Sequence, residues 1–273
     1  MENIHSITDF INTHVNYYGH FTHFLPKDLT RRNAEIKGII ENNPEFVYSE
    51  GSPLSALALI AVSKDMKRID VIGPFFRDET INEAVKIINT IQDNYRLASL
   101  NFFFPKEQQL MEQLMERLNA TRHDDEFILR LDRLNSEDTS ISHLIPVPKH
   151  DYKSLWTMHE TIFGETYLTH DDFFHDSSRA TYGYYDEGKL IGYGVIKSQT
   201  PTMHTLEVLG IDKNYRGKNH GKTLMRELIS LAFMNPRVDT LELVVESKNE
   251  KALKIYQSFG FILKSHSLNY SIK

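Results

Sequence analysis

The sequence predicts an α/β protein made of two tandem copies of one unit, each a sheet flanked by helices. Three observations predict this. Residues 143–273 read in order as a strand, two helices, three strands, a helix, a strand, a helix and two terminal strands. The first half echoes that order at an offset of 141 residues. Between the halves, "LNSEDTSIS" (134–142) is a polar run of turn-forming residues. The expected domains are therefore residues 1–138 and 139–273.

The second half carries the clearer signals. "HLIPVP" (143–148) is a short strand closed by prolines, and Asp151 is placed to cap a helix running to about Phe163. Trp156, His159 and Phe163 share one face of that helix. "THDDFFHD" (169–176) reads as a second short helix or loop. "ATYGYYDEGKLIGYGVIKS" is a hairpin turning at Asp186-Glu187-Gly188, and "HTLEVLGI" (204–211) is the next strand. In "GKTLMRELISLAFM", Leu224, Leu228 and Leu231 recur at helical spacing. "TLELVV" (240–245) is a buried-type strand, "NEKALKIYQSF" a helix, and Gly260 its stop.

The repeat keeps register through several elements. "LNFFFPK" (100–106) lies opposite "LELVVES" (241–247), Asn119 opposite Gly260, and Phe127 and Leu129 opposite Leu268 and Tyr270. Constant register through a strand, a helix and the next strands marks two copies of one unit.

Bulk composition narrows the function classes. The chain has 273 residues, 40% hydrophobic and 25% charged, as a globular protein does. Its net charge of −6 lacks the positive field that gathers nucleic acid or anionic lipid, so neither is an expected partner. The absence of cysteine excludes disulfides, thiolate metal sites and a cysteine nucleophile, and fits a reducing cytoplasm. The start, "MENIHSITDFINTHVNYY", has no basic segment followed by an apolar one, so no signal peptide is expected. "ALALIAV" is too short to span a bilayer.

The chemistry-bearing stretch is "RGKNHGKTLM" (216–225), between a strand and a helix. From Gly217 it falls one residue short of the nucleotide-triphosphate loop G-x-x-x-x-G-K-[ST]. The element order does not suit that fold, which places its glycine loop after the first strand of a βαβ series. From Arg216 the string is Arg-x-x-Asn-x-Gly, followed downstream by "NEKALKIYQSFGF". The two motifs together resemble the GNAT acyltransferase superfamily, strongly over about residues 143–273 and weakly over the first half. Asn249, Ala252, Tyr256, Gly260 and Phe261 fall on its N-x-x-A-x-x-x-Y-x-x-x-G-F pattern.

The resemblance implies two tandem GNAT-like domains, each with a mixed, mostly antiparallel central sheet flanked by helices. It implies acetyl-CoA as co-substrate and a small-molecule or peptide amine as acceptor. Arg216, Gly217, Lys218, Asn219, His220, Gly221 and Lys222 would form the pyrophosphate turn, with Asn219 standing where the family usually has glycine. Asn tolerates a left-handed backbone better than most residues. Backbone near Leu209 and Ile211 would pair with the pantetheine arm where the strand splays from its neighbour. Asn249 would reach that arm or cap its helix. Tyr256 would act as general acid toward the leaving thiolate, and Glu207 would take the amine proton directly or through water, with His204 a weaker rival. The rival class is a GNAT-fold module that senses acyl-CoA without turnover.

The first copy departs from the pattern. Its equivalent strand, "RIDVIGPFFRDETINEA", has Pro74 and no basic glycine turn, and Met115 stands in the tyrosine position. This copy is expected to bind no coenzyme and to serve as a structural partner or help shape the acceptor site. "HDDFFHD" invites a metal reading, but His170 and His175 are five apart, a poor match to one helical turn. No metal is expected.

Overall fold

The computed structural model describes residues 3–17, 25, 28–63, 66–133, 140–164, 166 and 168–273. Most of the expected polar join, 134–139, lies outside the described residues. The chain forms two compact units: Met1–Glu126 with His266–Lys273, and Phe127–Ser265. A single cut at 138/139 therefore does not describe them, because each unit takes a strand from the other half of the sequence.

In the first unit, helices α1 (Ile4–Tyr17) and α2 (Leu29–Asn42) precede strands β1 (Val47–Glu50), β2 (Ala56–Val62) and β3 (Arg68–Phe75). Then come α3 (Ile81–Asn94), β4 (Ser99–Pro105), α4 (Gln109–Arg117) and the two-residue β5 (Thr121–Arg122). The stripe Ile81, Ala84, Ile87, Ile88 and Ile91 on α3 recurs at helical spacing and is buried in the same cluster as Ala56, Ala58 and Ile60 of β2.

The second unit opens with β6 (Glu126–Asp132) and β7 (Leu144–Pro146), then α5 (Tyr152–Phe163) and the short α6 (His170–Phe174). Strands β8 (Arg179–Asp186), β9 (Lys189–Thr200) and β10 (Met203–Ile211) follow, then α7 (His220–Phe233), β11 (Thr240–Glu246) and α8 (Glu250–Ser258). The chain closes with β12 (Ile262–Ile272). The two expected terminal strands are thus one, since Lys264–Leu268 holds no glycine or proline to break it.

Strand order in the first unit is β1-β2-β3-β4, with the C-terminal part of β12 antiparallel on β4 from Ser267↔Pro105 to Ile272↔Leu100. In the second unit it is β6-β11-β10-β9-β8-β7. The parallel pairs are β3 with β4 and β10 with β11. In each unit the strands are therefore mixed and mostly antiparallel.

The repeat is visible in the fold. β4 and β11 each have 7 residues, and α4 and α8 each have 9, all at the 141-residue offset. Asn119 and Gly260, the matched helix stops, both have left-handed backbone (φ 50° and 88°).

Leu224 and Leu228 of α7 are fully buried on the second sheet. Gly194 of β9 lets Leu228 come close, because a side chain there would strike it. A second cluster joins Leu155 of α5 and Phe173 of α6 to Tyr193 and Val195 of β9.

Candidate active site

β10 pairs with β9 from Met203↔Thr200 to Ile211↔Gly192, with a register shift between Leu206 and Val208. The irregularity falls at Glu207, and such a bulge bends a strand. Toward β11 only three pairs form, and the last is Thr205↔Glu242. β10 nevertheless runs on to Ile211 and β11 to Glu246. The strands part beyond the bulge and leave a wedge at their C-terminal ends.

Because β10 and β11 are parallel, their C-terminal ends lie at the same edge of the sheet. The segment leaving β10 is the 212–219 turn, and the segment leaving β11 leads to Asn249 and α8. The two motifs that stand apart in sequence therefore flank one opening, the usual place for ligands in sheets with parallel strands.

The turn is built locally. The Asp212 carboxylate accepts from the Asn214 amide at 2.8 Å, and Lys213–Tyr215 makes one tight turn. Gly217 (φ 84°) and Asn219 (φ 66°) are left-handed, so Asn219 adopts the conformation expected of it. The amides of Lys222 and Thr223 bond back to the Asn219 carbonyl at 3.0 and 3.1 Å. Those of His220 and Gly221 open the 14-residue α7, where helix amides lack internal acceptors and carry partial positive charge.

Arg216, Lys218 and Lys222 are exposed around this helix start. The His220 ring lies edge-on to Tyr184 and Tyr215, at 6.0 and 6.4 Å. A Cβ on Gly221 would meet no atom within 4 Å, and Gly221 does not have positive φ. Neither packing nor backbone requires glycine there; what it provides is open space over the helix start. That space, with the surrounding cations, fits a diphosphate.

Leu209 is half-buried and Ile211 buried, both with their side chains in the core, and both lie beyond the last pair with β11. The Ile211 carbonyl is already engaged, accepting from Arg216 Nε at 3.0 Å. Asn249 caps α8, its side-chain oxygen accepting from the Ala252 amide at 3.1 Å. Tyr256, half-buried on α8, packs on the core of the second unit with its ring 6.1 Å from Phe261. Burial pushes its phenol above the ordinary value.

Glu207 does not stand as an unpaired base. Arg179 Nε and Nη2 donate to its two oxygens at 2.6 and 3.0 Å, and Lys197 Nζ lies 3.9 Å away. Both partners are over nine-tenths buried, at 8% and 7% side-chain exposure. The remaining Arg179 nitrogen pairs with Asp176 and sits 3.6 Å from Asp172 of α6. Burial alone would favour the neutral guanidine, but these carboxylates hold Arg179 firmly charged. His204 is turned to Ser198 at 3.2 Å, and burial lowers its basicity.

Sequence reasoning missed two further residues. Arg179 carries no local signal. Glu227 carries one, a lone acid between Leu224 and Leu228 on the apolar face of α7. Its Oε2 accepts from the amides of His143 and Leu144 at 3.0 Å each, and its Oε1 pairs with His143 Nδ1 at 2.8 Å. It ties β7 to the helix that begins at the turn. At the equivalent place in the first unit, α3 is preceded by Asp78 and Glu79, and Met115 is buried in the core. Finally, α6 brings His170, Asp171 and His175 together with ligand atoms within 4.8 Å of one another, a grouping that linear spacing concealed.

Residues 149–261 match the family model described as Acetyltransferase (GNAT) family. L-amino acid N-acetyltransferase AaaT of Escherichia coli is 32% identical over 90 residues, 32% of this chain and 56% of the relative. N-alpha-acetyltransferase RimI of Mycobacterium tuberculosis is 35% identical over 77 residues, 27% and 46% of the two chains. The chain thus spans about half the length of these curated relatives. Among solved structures, a GCN5-related N-acetyltransferase from Sphaerobacter thermophilus superposes with a TM-score of 0.74 at 15% identity, covering 98% of this chain and 91% of the other. A tandem GNAT protein from the clavulanic acid biosynthesis pathway gives 0.69 at 13% identity, covering 98% and 94%. At such identities the structures establish the fold, and they do so across both units.

Proposed function

We propose that the second unit, whose residues 149–261 match the GNAT acetyltransferase family model, transfers an acetyl group from acetyl-CoA to a primary amine by direct attack. The observation that carries this reading is the wedge opening past Thr205↔Glu242, with the glycine-Asn turn and α8 at the same edge. Arg216, Lys218, Lys222 and the amides opening α7 hold the pyrophosphate, and Gly217 and Gly221 let it approach. The strand edge near Leu209 holds the pantetheine arm and polarises the acyl carbonyl. Acetyl-CoA, when bound, supplies the activated acyl group.

Tyr256 gives a proton to the departing thiolate, since a phenol kept neutral by burial is available as an acid at neutral pH. Glu207, with both oxygens committed to Arg179, anchors the bulge, and the amine proton leaves through water. The expected cytoplasmic setting is retained as part of the proposal; among the described residues no helix is long and apolar enough to cross a membrane.

The Glu207–Arg179 pair also favours a second reading, an acyl-CoA sensor, because it fills the position of an expected base. Calorimetry with acetyl-CoA, joined to a thiol-release screen of amino acids, peptide N-termini, polyamines and amino sugars, decides between them. We expect one acetyl-CoA per chain and turnover of at least one amine class. Binding without turnover of any amine supports the sensor, and no binding overturns both readings.

A further inference from the structure

We propose that His170, Asp171 and His175 bind one divalent transition-metal ion of the zinc or nickel class. The local fold assembles the ligands. Thr169 and Asp172 form a reciprocal cap that starts α6, with the Thr169 amide and the Asp172 carboxylate 2.7 Å apart. The helix lasts five residues, and the His175 and Asp176 amides then turn back onto the Asp171 carbonyl at 2.8 and 3.1 Å. Across this short helix, one atom from each of the three side chains lies within 4.8 Å of the others.

The His170 ring is oriented before any ion arrives. It lies 4.7 Å from Phe174, 5.8 Å from Trp156 and 6.4 Å from Tyr152. All three candidate ligands are exposed, so an aqueous ion reaches them directly. Two imidazoles and one carboxylate suit zinc or nickel rather than magnesium or calcium, which call for more oxygen ligands. Zinc with bonds of about 2.1 Å holds tetrahedral ligands about 3.4 Å apart, so small side-chain rotations close the site and leave a fourth position to water. Asp172 follows Asp171 and Asp176 follows His175, and both carboxylates face Arg179. An ion here stiffens the segment that supplies two of the partners of Arg179.

The test uses the full chain without a histidine tag, titrated with Zn²⁺ by calorimetry and with Co²⁺ by visible absorption. His175→Ala, His170→Gln and Asp171→Asn are carried alongside, and their folding is checked by circular dichroism. We expect one Zn²⁺ per chain and no binding of Mg²⁺. Each histidine variant should lose more than about tenfold in affinity, the smaller loss seen when even an outer partner of a ligand is removed. The absence of Zn²⁺ binding at millimolar concentration, or losses below tenfold in both histidine variants, overturns the proposal. Neither acetyl-CoA nor an acceptor enters the measurement, so its outcome is independent of the catalytic reading.

Discussion

Arg179 grips Glu207 with two nitrogens, at 2.6 and 3.0 Å, where β10 slips register against β9 between Leu206 and Val208. A buried ion pair adds little net stability, but breaking it leaves a charge without its partner. Its evident consequence is geometric, since it ties α6 and the start of β8 to the bulge that opens the wedge. Glu207→Gln should therefore cost about 2 kcal/mol of folding stability and reduce kcat by less than about tenfold for an accepted amine. Urea unfolding and steady-state kinetics on the same variant decide the matter. A hundredfold loss of kcat at unchanged stability would restore Glu207 as the base.

Gly221 should separate stability from binding. A side chain there meets open space, and replacing a helix glycine by alanine gains up to about 1 kcal/mol. Gly221→Ala should thus melt at or above the wild-type temperature while binding acetyl-CoA more weakly. Gly221→Glu places a carboxylate where the proposed function seats the pyrophosphate and should weaken binding by more than tenfold, about 1.4 kcal/mol. Unchanged affinity in the Glu variant would remove the turn from the coenzyme site.

Tyr256→Phe should lower kcat by about 10- to 1000-fold with acetyl-CoA affinity preserved. The pH dependence has a definite sign. Burial raises the phenol above its usual value, about 10, and in the proposed mechanism the protonated form is the active one. Activity should persist through pH 9 and fall only as pH rises past the displaced value, and the phenylalanine variant should lack that alkaline limb. Near-normal turnover in Tyr256→Phe would leave the residue as core packing alone.

The repeat was legible because β4 and β11, and α4 and α8, kept equal lengths, so one offset carried through. The left-handed turn at Gly217 and Asn219 was legible because glycine and asparagine are informative about backbone wherever they stand. The exchange of strands was not. Periodicity says that "EFILRLD" is a strand with alternating burial, but it does not say that its neighbours are β11 and β12, more than a hundred residues away. The Arg179 network was hidden for the same reason, since its charges meet only when α6, β8 and β10 are assembled. His175 stands at the end of a five-residue helix, with its ring 6.2 Å from that of His170, a proximity that one-turn spacing does not register.

Glu227 should make stability fall in acid. Burial by itself would raise its carboxyl, but the bonds from the His143 side chain and the backbone of residues 142–144 outweigh it and hold the folded-state value below the ordinary one. Its contribution is thus complete above the unfolded value, about 4.3, and is lost as pH falls through the folded one. Glu227→Gln should cost about 2–3 kcal/mol at pH 7. The gap from wild type should shrink between pH 5 and pH 3 in urea titrations. A gap that stays constant over that range would mean that Glu227 is held by packing rather than by its charge.

Strand exchange also predicts which fragment of the chain can fold. A piece starting at Ile141 keeps the turn, α7 and α8 but lacks β6. Leu129 and Leu131 of that strand are 2% and 0% exposed within the second unit's core. Arg133 is lost as well, with its bonds to the carbonyls of Asn235 and Val238. The same piece retains His266–Lys273 without β4, the strand that pairs with it. Burying two leucines contributes about 3–6 kcal/mol, a large share of the stability of a domain this size. Residues 141–273 should therefore be poorly soluble or impaired in transfer, whereas Phe127–Ser265, which follows the compact unit, should be the better-folded of the two. Expressing both and comparing soluble yield, cooperative melting and acetyl-CoA binding tests this. If 141–273 is soluble and fully active, β6 is dispensable to the second unit, and the assignment of that strand to its core is wrong.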